Sequence, residues 1–159
     1  MIKVVDVPET LVIGLAERTS NDREMSGQGL IGKTWERFLA ENIYAQIPNK
    51  SEQKVLGVYT DYAGDHTGEY TFLAGAPVST LDDIPAGLTG KRIPAGRYAM
   101  LTSDRGPLVP MVIGAWQKIW MATPSELGGE RAFRADFEVY DDRARDRSDA
   151  QLDIYVGLK

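Results

Sequence analysis

One stretch of the sequence places an acid among aromatic residues at the spacing of a β-strand. Residues 133–140 alternate between two sides, which are Phe133, Ala135, Phe137 and Val139, and Arg134, Asp136, Glu138 and Tyr140. A buried carboxylate without a partner is costly, and a cationic ligand can supply that partner. Glu138 is therefore a candidate for recognising cations inside a cavity. The alternatives are that it faces water, or that it pairs with Arg134 or Arg97.

Several aromatic residues are candidates to surround such a cation, at roughly 0.5–2 kcal/mol for each cation–π contact. They are Trp35, Trp116, Trp120, Tyr59, Tyr98 and Tyr140. The alternative for Trp35 and Trp116 is that they pack helices onto a sheet. The packing role and the ligand-binding role are compatible if the core face opens into a cleft. Asp153 and Tyr155 share one face of the last predicted strand, so Asp153 is a candidate second acid or an exposed residue.

The composition argues against several other kinds of chemistry. The chain has 159 residues, no cysteine and one histidine, which lies in a Gly-rich turn. Thiol catalysis is thereby excluded, and a histidine-based metal site or a Ser-His-Asp hydrolase is disfavoured, so we expect no metal and no cofactor. A net charge of −5 argues against direct binding of nucleic acid. No signal peptide or membrane-length apolar run is visible, and we expect a cytoplasmic protein.

The predicted elements repeat in the order strand, helix, strand, strand. The first set is strand 10–19, helix 27–46, strand 54–62 and strand 70–78, and the second is strand 96–104, helix 107–123, strand 131–141 and strand 151–159. Residues 79–91 read as a loop-like crossover between the two sets.

Short words of sequence repeat with the same order. "IGKTW" ending at Trp35 is matched by "IGAW" ending at Trp116, and "VYTD" at 58–61 by "VYDD" at 139–142, each 81 positions later. We predict one α+β domain over 1–159, built from duplicated βαββ halves at about 1–78 and 92–159. A pseudo-twofold axis would relate the halves in one antiparallel sheet, with two main helices framing a ligand cleft. Gly57 and Glu138 are the equivalent positions on that axis.

The chain resembles the GyrI-like effector-binding domain, found at the C-terminus of AraC-type and MerR-type multidrug-responsive activators and as stand-alone proteins. The stretches that carry the resemblance are "TWERF" (34–38), "LGVYTDY" (56–62), "YTFLAGAPV" (70–78), "IPAGRYAML" (93–101), "AWQKIW" (115–120) and "FEVYDD" (137–142). The stand-alone length is similar to versions carried on integron cassettes. The last strand departs from the pattern, since it ends in Gly-Leu-Lys where many members have Pro-Val or Pro-Ile.

The resemblance implies a cleft that binds cationic, lipophilic molecules, with the glutamate of "FEVY", Glu138, among aromatic residues. Trp35, Tyr98 and Trp116 match recurrent aromatic positions, and Tyr59 and Tyr140 match the pattern with their side-chain directions open. No basic helix-turn-helix accompanies the domain, so we expect no direct DNA binding. The predicted function is binding of such cations without catalysis.

Two other functions remain as alternatives. One is a small-molecule hydrolase in which Glu138 acts with Tyr98 or Tyr140 as acid and base. The other is a protein-interaction module like the gyrase inhibitors of this family, with a protein partner or a homodimer left open.

Overall fold

Eight strands and five helices make up the part of the chain, residues 2–159, that the computed structural model describes. The strands are β1 (Ile2–Val7), β2 (Thr10–Ser20), β3 (Val55–Thr60), β4 (Glu69–Val78), β5 (Thr89–Ile93), β6 (Gly96–Thr102), β7 (Arg131–Tyr140) and β8 (Asp153–Leu158). The helices are α1 (Asn21–Met25), α2 (Ile31–Ala40), α3 (Ile43–Gln46), α4 (Leu108–Met121) and α5 (Pro124–Leu127), and a 3-10 turn covers Asp142–Ala144.

All strands join one antiparallel sheet in the order β1-β6-β8-β7-β3-β4-β2-β5. The order is symmetric about its centre, where β7 of the second half pairs with β3 of the first. Gly57 lies directly opposite Glu138 at that junction, and these two residues are 81 positions apart. The predicted α+β fold with duplicated halves around a pseudo-twofold axis is confirmed.

Two predicted elements need correction, and one strand was not predicted. The helix predicted over 27–46 is divided into α2 and α3, because Asn42 between them has a left-handed φ of 49° that ends the first helix. The crossover at 79–91 is not entirely a loop, since β5 begins at Thr89 and pairs with β2. Residues 2–7, to which the sequence assigned no element, form β1 and pair with β6.

The edge strands force the sheet to curl. In a flat sheet β5 and β6 would lie six strand intervals apart, about 29 Å at 4.8 Å per interval. Only Pro94 and Ala95 connect them, however, which allows at most about 11 Å between Ile93 and Gly96. Pro8 and Glu9 impose the same limit on β1 and β2. The sheet therefore bends into a trough whose inner face holds one core and whose outer face carries the helices.

The two faces have separate cores. The inner-face core contains Val12, Leu56, Val58, Leu73, Ile93, Tyr98, Ala135, Phe137 and Val139. On the outer face, α2 and α3 pack over β2 and β4, whereas α4 packs over β6 and β8. The strip above β3 and β7, at the pseudo-axis, lies between these two groups of helices.

Two glycines make this sheet geometry a testable constraint. A Cβ on Gly75 of β4 would lie 2.2 Å from the carbonyl oxygen of Ile13, whereas a Cβ on Gly114 of α4 would meet nothing within 4 Å. We expect Gly75→Ala to lower the free energy of unfolding by about 2 kcal/mol or more, because backbone must move. The same substitution at Gly114 should raise it by about 0.5–1 kcal/mol, since alanine favours a helix interior. Urea unfolding of both variants checks this, and two effects of the same sign would contradict it.

Candidate ligand-binding site

Glu138 is a buried carboxylate without a cationic partner. It lies on the outer face of β7 with 1% of its surface exposed. None of the ion pairs found within residues 2–159 involves it. Arg97, one of the partners considered from the sequence, instead donates to the carbonyl oxygen of Gly128, and Arg134 is exposed. Glu138 is therefore neither a solvent-facing residue nor a member of an ion pair.

Three donors from different elements hold the carboxylate. Tyr59 of β3 and Trp116 of α4 donate to Oε2 at 2.9 and 2.7 Å, through Oη and Nε1 respectively. Tyr140 of β7 donates to Oε1 through its hydroxyl at 2.7 Å. Hydrogen bonds to a charged acceptor contribute more than neutral ones, so these donors offset part of the cost of burying the charge.

Burial dominates the titration of this cluster. It raises the pKa of Glu138 above its ordinary value, and the hydrogen bonds from Trp116, Tyr140 and Tyr59 oppose that rise only in part. The pKa values of the Tyr59 and Tyr140 hydroxyls are raised well above the ordinary range, first by burial and then by the neighbouring glutamate. Both tyrosines consequently stay protonated near neutral pH and act as donors.

Gly57 provides the space that the glutamate occupies. A Cβ at this position would lie 2.7 Å from Oε1 of Glu138 and 3.2 Å from Cζ2 of Trp35. Any larger residue would push against the carboxylate or the indole. At the pseudo-axis the second half therefore contributes the side chain of Glu138, and Gly57 of the first half leaves the space for it.

A cavity of about 540 Å³ opens above this cluster, between α2 and α4. Its floor includes Glu138, Tyr59 and Tyr140, and Trp35 stands at one side. The walls are mostly apolar, with Phe38 and the aliphatic residues Ile31, Leu39, Leu108, Val109, Val112 and Ile113. Two exposed charged residues, Glu36 and Arg147, also line the cavity. The volume falls within the range of about 300–1,000 Å³ that is typical of small-molecule sites, and a buried acid beneath mostly apolar walls suits an amphipathic ligand.

Two aromatic pairs flank the carboxylate symmetrically. The ring of Trp35 lies 5.0 Å from that of Tyr140, and the ring of Trp116 lies 5.2 Å from that of Tyr59, both edge to face. In each pair a tryptophan on the helix of one half contacts a tyrosine on the strand of the other. The pairs thus connect the two halves across the axis.

The structure brings together five of the eight candidate residues named from the sequence. These are Glu138, Trp35, Trp116, Tyr59 and Tyr140, and Trp116 reaches the carboxylate directly.

Trp120 lies beside Trp116 but does not line this cavity, and the other two candidates, Tyr98 and Asp153, lie elsewhere. Tyr98 belongs to the inner-face core, where it packs 5.6 Å from Phe137 and donates to the carbonyl oxygen of Pro94. Asp153 is paired with Arg143 and accepts a hydrogen bond from Thr102. Both point away from Glu138 because strand alternation places them on the opposite side of the sheet.

The sequence analysis missed a second buried acid. Asp136 is fully buried on the same face as Glu138, two residues earlier on β7. It accepts hydrogen bonds from Tyr62, from the backbone N–H of Gly157 and from Arg131, with which it forms an ion pair at 2.7 Å. The alternating pattern of residues 133–140 places Asp136 on the same side of the strand as Glu138, so the sequence could have pointed to it. Since Arg131 already compensates its charge, Asp136 differs from Glu138 in having a cationic partner.

The described residues contain neither a metal-binding cluster nor a membrane-spanning helix. Within 2–159 no group of three or more His, Asp or Glu side chains is arranged to hold a metal ion. The helices of the same region are all too short or too polar to cross a membrane.

Comparisons with known proteins fit this geometry. Over residues 3–158 the chain matches the family model described as Cass2, integron-associated effector binding protein. It is 33% identical over 147 residues to YobU of Bacillus subtilis (strain 168), which carries the name of a transcriptional regulator protein, and the match covers 92% of this chain and 90% of YobU.

Two solved structures share the fold. The crystal structure of the integron cassette protein VCH_CASS2, from the mobile metagenome of Vibrio cholerae, superposes with a TM-score of 0.78 at 25% identity, over 99% of this chain and 95% of that one. SAV2435, solved bound to tetraphenylphosphonium, has a TM-score of 0.75 at 16% identity, over 100% of this chain and 94% of its own. With the family model matching nearly the whole length, the chain belongs to the Cass2 family of integron-associated effector binding proteins, whose fold is GyrI-like.

Proposed function

We propose that the protein binds cationic, lipophilic small molecules in the cavity above Glu138, and that it does so without chemical turnover. The observation that carries the proposal is a buried carboxylate with three hydrogen-bond donors and no ion-pair partner among the described residues, at the floor of a mostly apolar cavity. A ligand cation would supply the missing counter-charge where water competes little.

The chemistry of a known ligand agrees with this proposal. Tetraphenylphosphonium, the compound bound by SAV2435, is a permanent cation surrounded by aromatic rings. Such a ligand has both a positive charge, which Glu138 would attract, and aromatic rings, which would pack against the aliphatic and aromatic walls.

Hydrolysis is less well supported by the site. Of the two tyrosines considered as acid or base, Tyr98 lies on the other face of the sheet, and Tyr140 has a pKa far above neutral. A general acid or base works best when its pKa is near the working pH. Neither tyrosine therefore meets both the position and the pKa that an acid or base partner of Glu138 would need.

The decisive variant is Glu138→Gln, which keeps the size of the side chain and removes its charge. The amide oxygen can accept from Tyr59 and Trp116, and its NH₂ can donate to the Tyr140 hydroxyl, so the packing should survive. Loss of a desolvated charge partner is worth about 2–4 kcal/mol. We expect tetraphenylphosphonium to bind about 30- to 1,000-fold more weakly, measured by calorimetric titration.

Two controls separate charge from packing. Triphenylphosphine oxide, which is uncharged, should lose far less affinity on Glu138→Gln. Asp153→Asn removes the same unit of charge from the opposite face of the sheet, and it should leave cation binding unchanged. Equal losses for the charged and the uncharged ligand would contradict the assigned role of Glu138.

The raised pKa of Glu138 predicts a pH dependence. Only the ionised carboxylate attracts a cation, so affinity should fall with decreasing pH, and the fall should begin at a higher pH than for an ordinary glutamate of pKa 4.5. Without ligand, the folded protein keeps the proton where the unfolded chain has released it. Glu138 therefore contributes stability below about pH 4.5 that is lost as pH rises through the folded pKa. Titrations and urea unfolding across pH test both statements, and Glu138→Gln should lack this contribution.

Trp116 and Trp35 form a matched pair for the hydrogen bond to Glu138. Trp116→Phe removes the Nε1–H donor that lowers the pKa of Glu138, so the pH at which cation binding is half lost should move upward. Trp35 makes no hydrogen bond to the carboxylate, and Trp35→Phe should leave that pH unchanged. Equal shifts in the two variants would show that ring packing, not the donor, sets the pKa.

A further inference from the structure

A second, smaller cavity lies on the other side of the Glu138 cluster. It has a volume of about 220 Å³ and opens between α1, α4 and the loop after β3. Its aromatic lining consists of Tyr59, Tyr62, Tyr70, Trp116, Trp120 and the imidazole of His66. Ile31, Tyr59, Val112 and Ile113 line both cavities and separate them.

The two cavities are counterparts under the pseudo-twofold axis. Trp35 and Leu39 line the first, and the residues 81 positions later, Trp116 and Trp120, line the second. Ile31 and Val112, which both cavities share, are also 81 positions apart. The duplicated fold thus has a second cavity in which Trp120 takes the place of the aliphatic Leu39.

The charged groups at the second cavity already have partners within the protein or are open to water. Oε2 of Glu138, on this side, is covered by Tyr59 and Trp116, and the glutamate itself lines only the first cavity. Glu24 accepts from the Thr19 hydroxyl and from the backbone N–H groups of Leu30 and Ile31, and, unlike Glu138, it is only partly buried. Arg131 is paired with Asp136. A charged ligand would therefore find no fully buried carboxylate in the lining of this cavity, and it would lose part of its hydration on entry.

We propose that this second cavity is an aromatic subsite that binds an uncharged planar ring system. It would be occupied at the same time as the cation cavity, either by a separate molecule or by a second aromatic group of one ligand. The volume suits one or two rings, because a cavity of about 150 Å³ is known to accept benzene. The tilted indoles of Trp116 and Trp120, 6.4 Å apart, and the ring of Tyr59 offer faces and edges for stacking. The proposal rests on the proposed function only in assigning the first cavity to the cation.

The probe for the test is 2-naphthol, which is uncharged at neutral pH and fluoresces on excitation beyond tryptophan absorption. It is titrated into the protein saturated with benzyltrimethylammonium, which should fill the first cavity. We expect a ternary complex with 2-naphthol. Trp120→Ala should weaken naphthol binding about tenfold, or about 1.4 kcal/mol, and Trp120→Phe should retain most of it.

Leu39→Ala is the matched control, because Leu39 is the counterpart of Trp120 in the first cavity. Both side chains are about half exposed, at 56% and 50%, so neither variant should unfold the protein. Leu39→Ala should change naphthol binding less than twofold. Displacement of 2-naphthol by the cation, or a larger effect of Leu39→Ala than of Trp120→Ala, would overturn the second site. Failure of the cation alone to bind would instead count against the proposed function, and the comparison of the two variants without cation would still decide the subsite.

Discussion

The rest of the structure depends on keeping the carboxylate of Glu138 out of water without a cation beside it. Moving a charged group of this size into a protein interior costs several kcal/mol even after relaxation. The donors that offset part of this cost come from β3, β7 and α4, so hydrogen-bond distances of 2.7–2.9 Å tie three elements together. Trp116 connects the helix to the sheet, and Tyr59 fixes β3 against β7. The position of α4, and with it the width of the cleft, is therefore coupled to the charge at the floor.

The duplicated scaffold explains how this charge is placed. Symmetry brings two tryptophans and two tyrosines to equivalent places around the axis, where each tryptophan packs on the tyrosine of the other half. Two facing acids at the axis would repel each other and share a proton. The structure avoids this because Gly57 stands opposite Glu138 and leaves room for a single carboxylate. At the axis itself, the two halves thus differ where identical acids would be electrostatically costly.

Much of this arrangement could be predicted from the sequence, because it depends on local spacing. The alternation of 133–140, the element order and the 81-residue offset predicted the duplicated fold and the equivalence of Gly57 and Glu138. The family resemblance, not the spacing, implied the aromatic positions, of which Trp35, Trp116, Tyr59 and Tyr140 lie around Glu138. Tyr98 and Asp153 were misplaced because alternation gives which residues share a face, but not which face carries the helices. Strands β1 and β5 were missed since edge strands exchanged between halves depend on long-range pairing. The boundaries proposed for the half-repeats stay a prediction.

Under the proposed function, floor and walls would select ligands by different physics. The floor is rigid and buried, so it rewards a positive charge through short-range attraction in a medium of low dielectric constant. The walls include Leu39, Val109 and Ile113, which are 56%, 66% and 50% exposed and therefore free to adjust their rotamers. Burial of ligand apolar area against such side chains contributes roughly 25 cal/mol per Å², whatever the shape of that area.

Discrimination between two ligands is the difference of their binding free energies, so two cations of similar apolar area would be poorly distinguished. An uncharged molecule of the same area would leave Glu138 buried without a counter-charge, and the site would disfavour it. Selection by charge and lipophilicity rather than by shape thus follows from one fixed carboxylate beneath adjustable aliphatic walls.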